Sequence, residues 1–292
     1  MARRYIPRLP SASPLLVNLA PTGMVPTRED TPHVPLTTEE ILADVERCRP
    51  HGVAIVHVHA RRPDGTPSQR PEDVAPIVEG IRAIDPELIV CVSCSGRVEP
   101  ALEARAVVLD LDGPAKPDMA SLTVGSNNFL RQASVNAPDV VVGLAERMRE
   151  RGIKPELEAF EPGMLAYAAH LAAHGVLEGP HYANILLGNP GTAPPTPAML
   201  AAFLSAMPAE TTWALGGIGR FQLDATLLAI AAGGHVRIGL EDNIWLDRER
   251  TRLATNEALV ARVGQLAELA ERPLATPTQA RELLGLPVAV RR

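Results

Sequence analysis

His57 and His59 stand two residues apart in the run Ile55-Val56-His57-Val58-His59-Ala60-Arg61. In a β-strand successive side chains point to opposite faces, so residues i and i+2 share one. Two imidazoles would then converge, with Val56 and Val58 on the other face. Paired imidazoles begin a divalent metal site, because histidine nitrogen is a favoured zinc ligand. The plainer reading is a strand with two polar residues inside a barrel or at its rim. A metal site needs a third ligand and a pocket.

The elements that must supply them alternate along the chain. Strand-like runs fall at 15–20, 55–61, 88–93, 119–124, 155–160, 182–187, 212–215 and 236–242. Helical patterns cover 37–48, 72–84, 138–151, 164–174, 197–207, 222–232, 256–272 and 278–284, with an ambiguous one at 98–109. Thr37 with early glutamates marks a helix start, and Gly152 follows a basic last turn. Eight strand-then-helix units imply parallel pairing and fit a closed (β/α)8 barrel better than an open sheet. The loop after the first strand, Pro21-Thr22-Gly23, is not a dinucleotide fingerprint. Gly216-Gly217-Ile218-Gly219 reads either as a loop whose backbone approaches a ligand such as phosphate, or as a plain tight turn. The expected organisation is α/β: a single TIM-barrel domain over 1–292, with an N-terminal extension at 1–14 and a short C-terminal helical extension at 274–292.

Bulk properties narrow the partners. The 292 residues are 46 % hydrophobic and 21 % charged, enough for a large core. A net charge of −6 gives no electrostatic case for nucleic acid or a membrane surface. No apolar run reaches spanning length, and Met1 to Pro7 lacks a signal-peptide apolar region. Three cysteines (Cys48, Cys91, Cys94) give no disulfide framework and point to a reducing cytoplasm. Cys91 and Cys94 form an isolated C-x-x-C, read mainly as strand packing.

In such a barrel the chemistry sits at the C-terminal strand ends. Besides the histidines, those ends carry Ser93, Ser95, Ser121, Thr123, Glu156, Glu158, Asn189, Arg237, Glu241 and Asp242. Strand eight neighbours strand one in a closed barrel, so Glu241 can reach the histidines. Three protein ligands leave a coordination position open, the pattern of a catalytic zinc. Glu241 can equally be a helix-start carboxylate, and Asp242 its cap. Arg237 lies in a strand that should be buried, and so needs a carboxylate partner: Asp242 or a strand-five glutamate. Ser93 and Ser121 can be plain barrel-interior residues. The remaining histidines (His33, His51, His170, His174, His181, His235) read as loop or helix residues serving surface or packing.

These residues carry a resemblance. Ala20-Pro21-Thr22-Gly23, Thr27-Arg28-Glu29, Val34-Pro35, His57-Val58-His59-Ala60-Arg61 with Asp64-Gly65, Ser93 to Gly96, Lys154 to Glu158 and Gly234 to Asn243 resemble the β-keto acid cleavage enzyme family. Its founding activity is 3-keto-5-aminohexanoate cleavage. The resemblance extends from about Leu15 to the Ala275-Thr276-Pro277…Leu284 region. It implies a TIM barrel, often a homotetramer, with zinc or another divalent metal. It implies that a β-keto acid and acetyl-CoA give acetoacetate and a new acyl-CoA. By position, His57, His59 and Glu241 would hold the metal, and Asp242, held by Arg237, would take the substrate's proton. Ser93, Gly96 and Ser121 would line the substrate site, and a strand-five glutamate, taken as Glu158, would join the polar network.

Two positions depart from the family pattern. Val25 stands where the amino-hexanoate enzyme carries a glutamate for the substrate's ammonium, so the expected substrate has a neutral or anionic tail. Arg97 stands where a small residue is common; it would pair an acidic tail or a CoA phosphate, or be a solvated arginine. Two rivals remain: a zinc-dependent hydrolase or lyase on the same kind of barrel, and a barrel that only binds or assembles. A hydrolase of the amidohydrolase kind would carry its His-x-His on strand one and further histidines on strands five and six. Strands five and six, read as 155–160 and 182–187, contain none.

Overall fold

The computed structural model describes residues 13–288 apart from 98 and 131. Eight parallel strands close a barrel: β1 (Val17–Leu19), β2 (Ile55–Val58), β3 (Ile89–Val92), β4 (Met119–Thr123), β5 (Lys154–Ala159), β6 (His181–Leu187), β7 (Thr211–Gly217) and β8 (His235–Ile238). They pair in chain order, and β8 closes onto β1 with Asn18 beside Arg237. Helices follow: α1 (Thr38–Cys48), α2 (Pro71–Ile84), α3 (Leu102–Ala106), α4 (Pro138–Arg151), α5 (Pro162–Ala173), α6 (Pro197–Ala206), α7 (Gln222–Ala231), α8 (Asn256–Leu269) and α9 (Pro277–Leu284). This is the (β/α)8 TIM barrel that the alternating pattern implied.

Local chemistry sets the boundaries. Thr37 and Glu40 form a reciprocal capping box at the start of α1. Gly152, in the left-handed conformation, ends α4. The strands' β-branched and aliphatic residues pack outward against the helices in one continuous core. Their inward positions carry a polar set instead: Asn18, His57, Glu156, Asn184 and Arg237, all essentially solvent-free.

The barrel's N-terminal end is plugged by α9. Ala280 and Leu284 pack with Leu16, Ile55, Ile89 and Met119. Arg281, also buried, donates to the carbonyls of Glu87 and Leu88 and to Asp118 Oδ1. The expected N-terminal extension at 1–14 lies, except for residues 13 and 14, outside the described residues, as do the Met1–Pro7 start and the last four positions of the C-terminal extension.

Several expectations are corrected. Strand two stops at Val58, and Ala60–Arg61 turns away to pair antiparallel with Pro67–Ser68. Strand eight stops at Ile238, and the Gly239 carbonyl accepts both Asp242 N–H and Asn243 N–H. Gly239 has φ +151°, and a Cβ there would lie 2.0 Å from the Ala20 carbonyl oxygen, so β8 must turn at a glycine to pass β1. The helix expected over 98–109 is only the short α3 and a 3-10 turn, Val107–Asp110, and its first position is not among the described residues. Gly216 and Gly217 belong to β7, and Gly217 lies tight against the Phe221 carbonyl, so this stretch is a close-packed turn. His181 and His235 open β6 and β8 rather than lying in loops or helices. Strand six therefore does contain a histidine, but at the end away from the barrel mouth.

His235 gives the fold a calculable acid sensitivity. Its Nδ1 accepts the Leu16 N–H at 3.0 Å, with an Arg272 nitrogen at 3.4 Å. Burial, and then the Arg272 charge, push its pKa from 6.5 down to about 3. Between those values the unfolded chain binds a proton that the folded one refuses. The contribution is present at neutral pH and is lost as pH falls, amounting to about 2 kcal/mol by pH 5. Urea unfolding at pH 7 and pH 5 should thus show a smaller pH loss for His235→Gln than for the parent chain. Equal losses would show that His235 is not the group that titrates.

Candidate metal and catalytic site

The site forms where β2, β5 and β8 deliver their ends to the barrel mouth. His57 is the third residue of β2 and points inward, 1 % exposed. Its Nδ1 faces Glu156 Oε2 at 2.5 Å. Its Nε2 faces His59 Nε2 at 3.2 Å, and His59 Nε2 lies 3.3 Å from Glu241 Oε1. His59 thus reaches the same point as His57 although it lies one residue past the strand's end.

Glu156 is fully buried and is oriented from below. Asn18 Nδ2 donates to its Oε1 at 2.7 Å, and Cys91 Sγ donates to its Oε2 at 3.2 Å. Burial would weaken the charge on Glu156, but the His57 imidazole overcomes it and holds the carboxyl well below its ordinary range. Burial likewise pulls His57 down, and Glu156 lifts it to about 9. Cys91 is pushed far up by burial and by Glu156, so it is a neutral donor rather than a thiolate ligand. Glu156 is therefore the carboxylate that fixes the His57 tautomer, the usual companion of a ligating histidine.

Above this layer Arg237 joins three carboxylates. Its Nε donates to Asp242 Oδ2 at 3.0 Å, Nη2 to Glu241 Oε1 at 2.8 Å and Nη1 to Glu158 Oε1 at 3.3 Å. Thr123 Oγ1 donates to the other oxygen of Glu158 at 2.8 Å. Burial would raise Glu241, but His59, Arg237 and His57 hold it well below the carboxylate range. Asp242 moves the other way: burial and the Glu241 charge raise it, and Arg237 only partly offsets them. Two adjacent carboxylates are thus driven apart in proton affinity.

A metal ion suits this donor set. His57, His59 and Glu241 each offer a ligand atom, all within 4.8 Å of one another. Glu241 Oε2 is buried without a hydrogen-bond partner among the described residues. Buried carboxylates around two facing ring nitrogens call for a cation, either a proton on His57 or a metal. Gly23 holds Glu241, the third candidate ligand, in place: at φ +66°, a Cβ there would lie 2.5 Å from Glu241 Cγ. Arg61 pins that loop, donating to the carbonyls of Gly23, Pro26 and Gly65. Gly23→Ala is expected to displace Glu241 and weaken metal binding about 10–100-fold, as loss of an orienting contact does. A competition titration with a chromophoric chelator reads this; parental affinity would mean that the loop yields.

The other candidates lie around the mouth. Ser121 Oγ accepts the Cys94 N–H at 3.0 Å, and Ser93 Oγ accepts the Ser95 N–H at 3.3 Å, so both shape the loop after β3. Gly96 packs against the Val135 carbonyl and Arg105. Arg97 lies 3.7 Å over the Phe129 ring. Val25 is 55 % exposed at the rim. A cavity of about 320 Å³ reaches His59 between Met24, Arg62, Gln69 and Arg70. A larger groove of about 810 Å³ lies outside the loops after β1 and β2 and touches none of the three ligand candidates.

Comparison with known proteins follows the same lines. A family model described as beta-keto acid cleavage enzyme matches residues 14–286. A 3-oxoadipate:acetyl-CoA acetyltransferase of Cupriavidus necator is 39 % identical over 277 residues, covering 94 % of this chain and 95 % of that one. A 3-keto-5-aminohexanoate cleavage enzyme of Acetoanaerobium sticklandii is 34 % identical over 273 residues, 93 % of this chain and 98 % of that one. Among solved structures, a complex of ObcA with oxaloacetate superposes with a TM-score of 0.78 at 19 % identity, covering 88 % of this chain and 68 % of that one, a likeness of fold. No helix among the described residues is long and apolar enough to cross a membrane.

Proposed function

Because the chain belongs to the β-keto acid cleavage enzyme family, we propose that it exchanges acyl groups between a β-keto acid and acetyl-CoA in the mouth of its barrel. The products are acetoacetate and a new acyl-CoA. The observation that carries this reading is the convergence of His57, His59 and Glu241 beside the Arg237–Asp242 pair. That is a metal-ligand set and a buried base within one cluster.

His57, His59 and Glu241 would hold the ion, zinc by the nitrogen-rich donor set. Bound there, it would act as a Lewis acid toward the β-keto acid's oxygens. Arg237 fixes Asp242 through its Nε and so aims the carboxylate. Asp242 takes a proton from the carbon between the keto and carboxyl groups. The carbanion adds to the thioester carbonyl, the C–S bond breaks and CoA leaves as thiolate. The thiolate adds to the original keto carbon, the old C–C bond breaks, and Asp242 returns its proton to the acetoacetate carbanion. Glu158, held by Arg237 and Thr123, keeps the guanidinium in place during the exchange. The cavity beside His59 gives the thioester arm a route in.

Val25 bears on the substrate. An apolar residue at the rim supplies no partner for an ammonium, so the favoured acid lacks the 5-amino group. A panel of β-keto acids with acetyl-CoA, read by acetoacetate release, tests both points. Turnover of uncharged or anionic acids above the amino acid is the expected result. Preference for the amino acid would refute the Val25 argument, and no acetoacetate from any member would refute the exchange itself.

A further inference from the structure

On the premise that the enzyme cleaves β-keto acids, we propose that Arg97 reads the far end of the substrate and selects acids whose tail ends in a second carboxylate. Arg97 belongs to the loop that leaves β3 at the barrel mouth. That loop is held closely. The Arg97 N–H donates to Ser95 Oγ at 3.2 Å. A Cβ at the preceding Gly96 would fall 2.4 Å from the Val135 carbonyl oxygen. Arg105, fully buried behind it, donates to the Cys94 carbonyl and to Asn136 Oδ1, both at 2.8 Å. The Arg97 carbonyl accepts from Gln132 Nε2 at 3.2 Å.

The guanidinium is positioned by stacking. It sits over Phe129, which is itself braced edge-on by Phe160 at 5.2 Å. It forms no ion pair among the described residues, and its Nε is buried without a hydrogen-bond partner there. Burial lowers its pKa, and the charges that act on it are Glu241, Glu158, Asp242 and Arg237, the residues of the site itself. Those three carboxylates are already held by Arg237.

The buried Nε is a donor left unpaired, and a carboxylate is the group that can take Nε and a neighbouring Nη together. In the loop after β1, the exposed Val25 supplies no negative charge. At the loop after β3, Arg97 thus offers a substrate tail a stacked guanidinium that pairs with no carboxylate among the described residues. An ammonium tail meets repulsion, a methyl tail leaves the cation unpaired, and a carboxylate tail completes it.

The test uses the full-length, metal-loaded enzyme and two β-keto acids of equal length, one ending in a carboxylate and one in a methyl group. Acetyl-CoA is varied in both series. For Arg97→Gln the ratio of kcat/KM between the dicarboxylic and the methyl-ended acid should fall about 10–100-fold, the range for losing a charge-assisted hydrogen bond. Arg97→Lys should recover part of that ratio, because it keeps the charge but not the planar fork. Metal content and turnover of the methyl-ended acid serve as the fold control. An equal loss on both acids would overturn the assignment, since Arg97 would then serve the shared carboxylate or the fold. A rise confined to the KM for acetyl-CoA would overturn it in favour of a CoA phosphate. A parent enzyme that turned over the methyl-ended acid and not the dicarboxylic one would also overturn it. Absence of acetoacetate from either acid would instead remove the β-keto acid premise.

Discussion

His59→Ala enzyme is expected to purify folded, without bound divalent metal, and to release acetoacetate at least about 10³-fold more slowly than the parent. Lewis-acid stabilisation of developing charge is worth several kcal/mol, and each 1.36 kcal/mol is a factor of ten. His59 lies past the end of β2, and its ring contacts are His57 and Glu241. Removing it opens the ligand set without breaking a strand. His57→Ala should lose the metal as well, but at a further cost to the fold. Glu156 is fully buried and faces the His57 ring, so its charge would lose the group that balances it. Elemental analysis, acetoacetate release and urea unfolding on the two variants together separate these effects. Full activity with no metal in either variant would end the metal mechanism.

Arg237→Met is expected to cost about 3–5 kcal/mol of folding stability and to abolish turnover. Breaking a buried ion pair by removing one partner strands the other charge, and here three carboxylates share one guanidinium. Its burial is near complete, so water cannot replace it. Asp242→Asn provides the contrast. Asparagine is nearly isosteric and leaves Arg237 paired with Glu158 and Glu241, so fold and metal binding should survive. Turnover should still fall about 10²–10⁴-fold, the contribution of a positioned base. Chemical unfolding and metal titration on both variants make the comparison. If Arg237→Met proved as stable as the parent, the cluster would not be the energetic centre of the mouth.

The metal-ligand candidates were legible because two simple rules met. Alternation placed His57 and His59 together, and closure of strand eight onto strand one brought Glu241 to them. β2 ends between the two histidines, yet their Nε2 atoms still meet at 3.2 Å, as the alternation rule expected. The strand-five carboxylates show the limit. Glu156 and Glu158 share a face, but alternation does not say which layer each meets. Strand tilt and register decide that: Glu156 lies under His57, while Glu158 lies one layer up with Arg237. Asn18 was overlooked, although a lone amide in an apolar strand is a signal of an inward polar partner. Arg61 and Arg105 left less trace. Their work is on backbone carbonyls of distant loops, and no spacing in the sequence encodes such a target. The contact between Gly23 and Glu241 was likewise invisible before the loops were placed.

The closure of β8 onto β1 also has a consequence for how the chain is made. The Leu16 N–H finds its acceptor in His235, 219 residues later, and Leu15 bridges to Leu274. On the ribosome, β1 emerges with one edge unpaired and keeps it so through most of synthesis. An open edge is a template for pairing with other chains, and contacts this distant in sequence form slowly. The strand order that assembles the candidate metal site therefore leaves that edge of β1 open until β8 has been made.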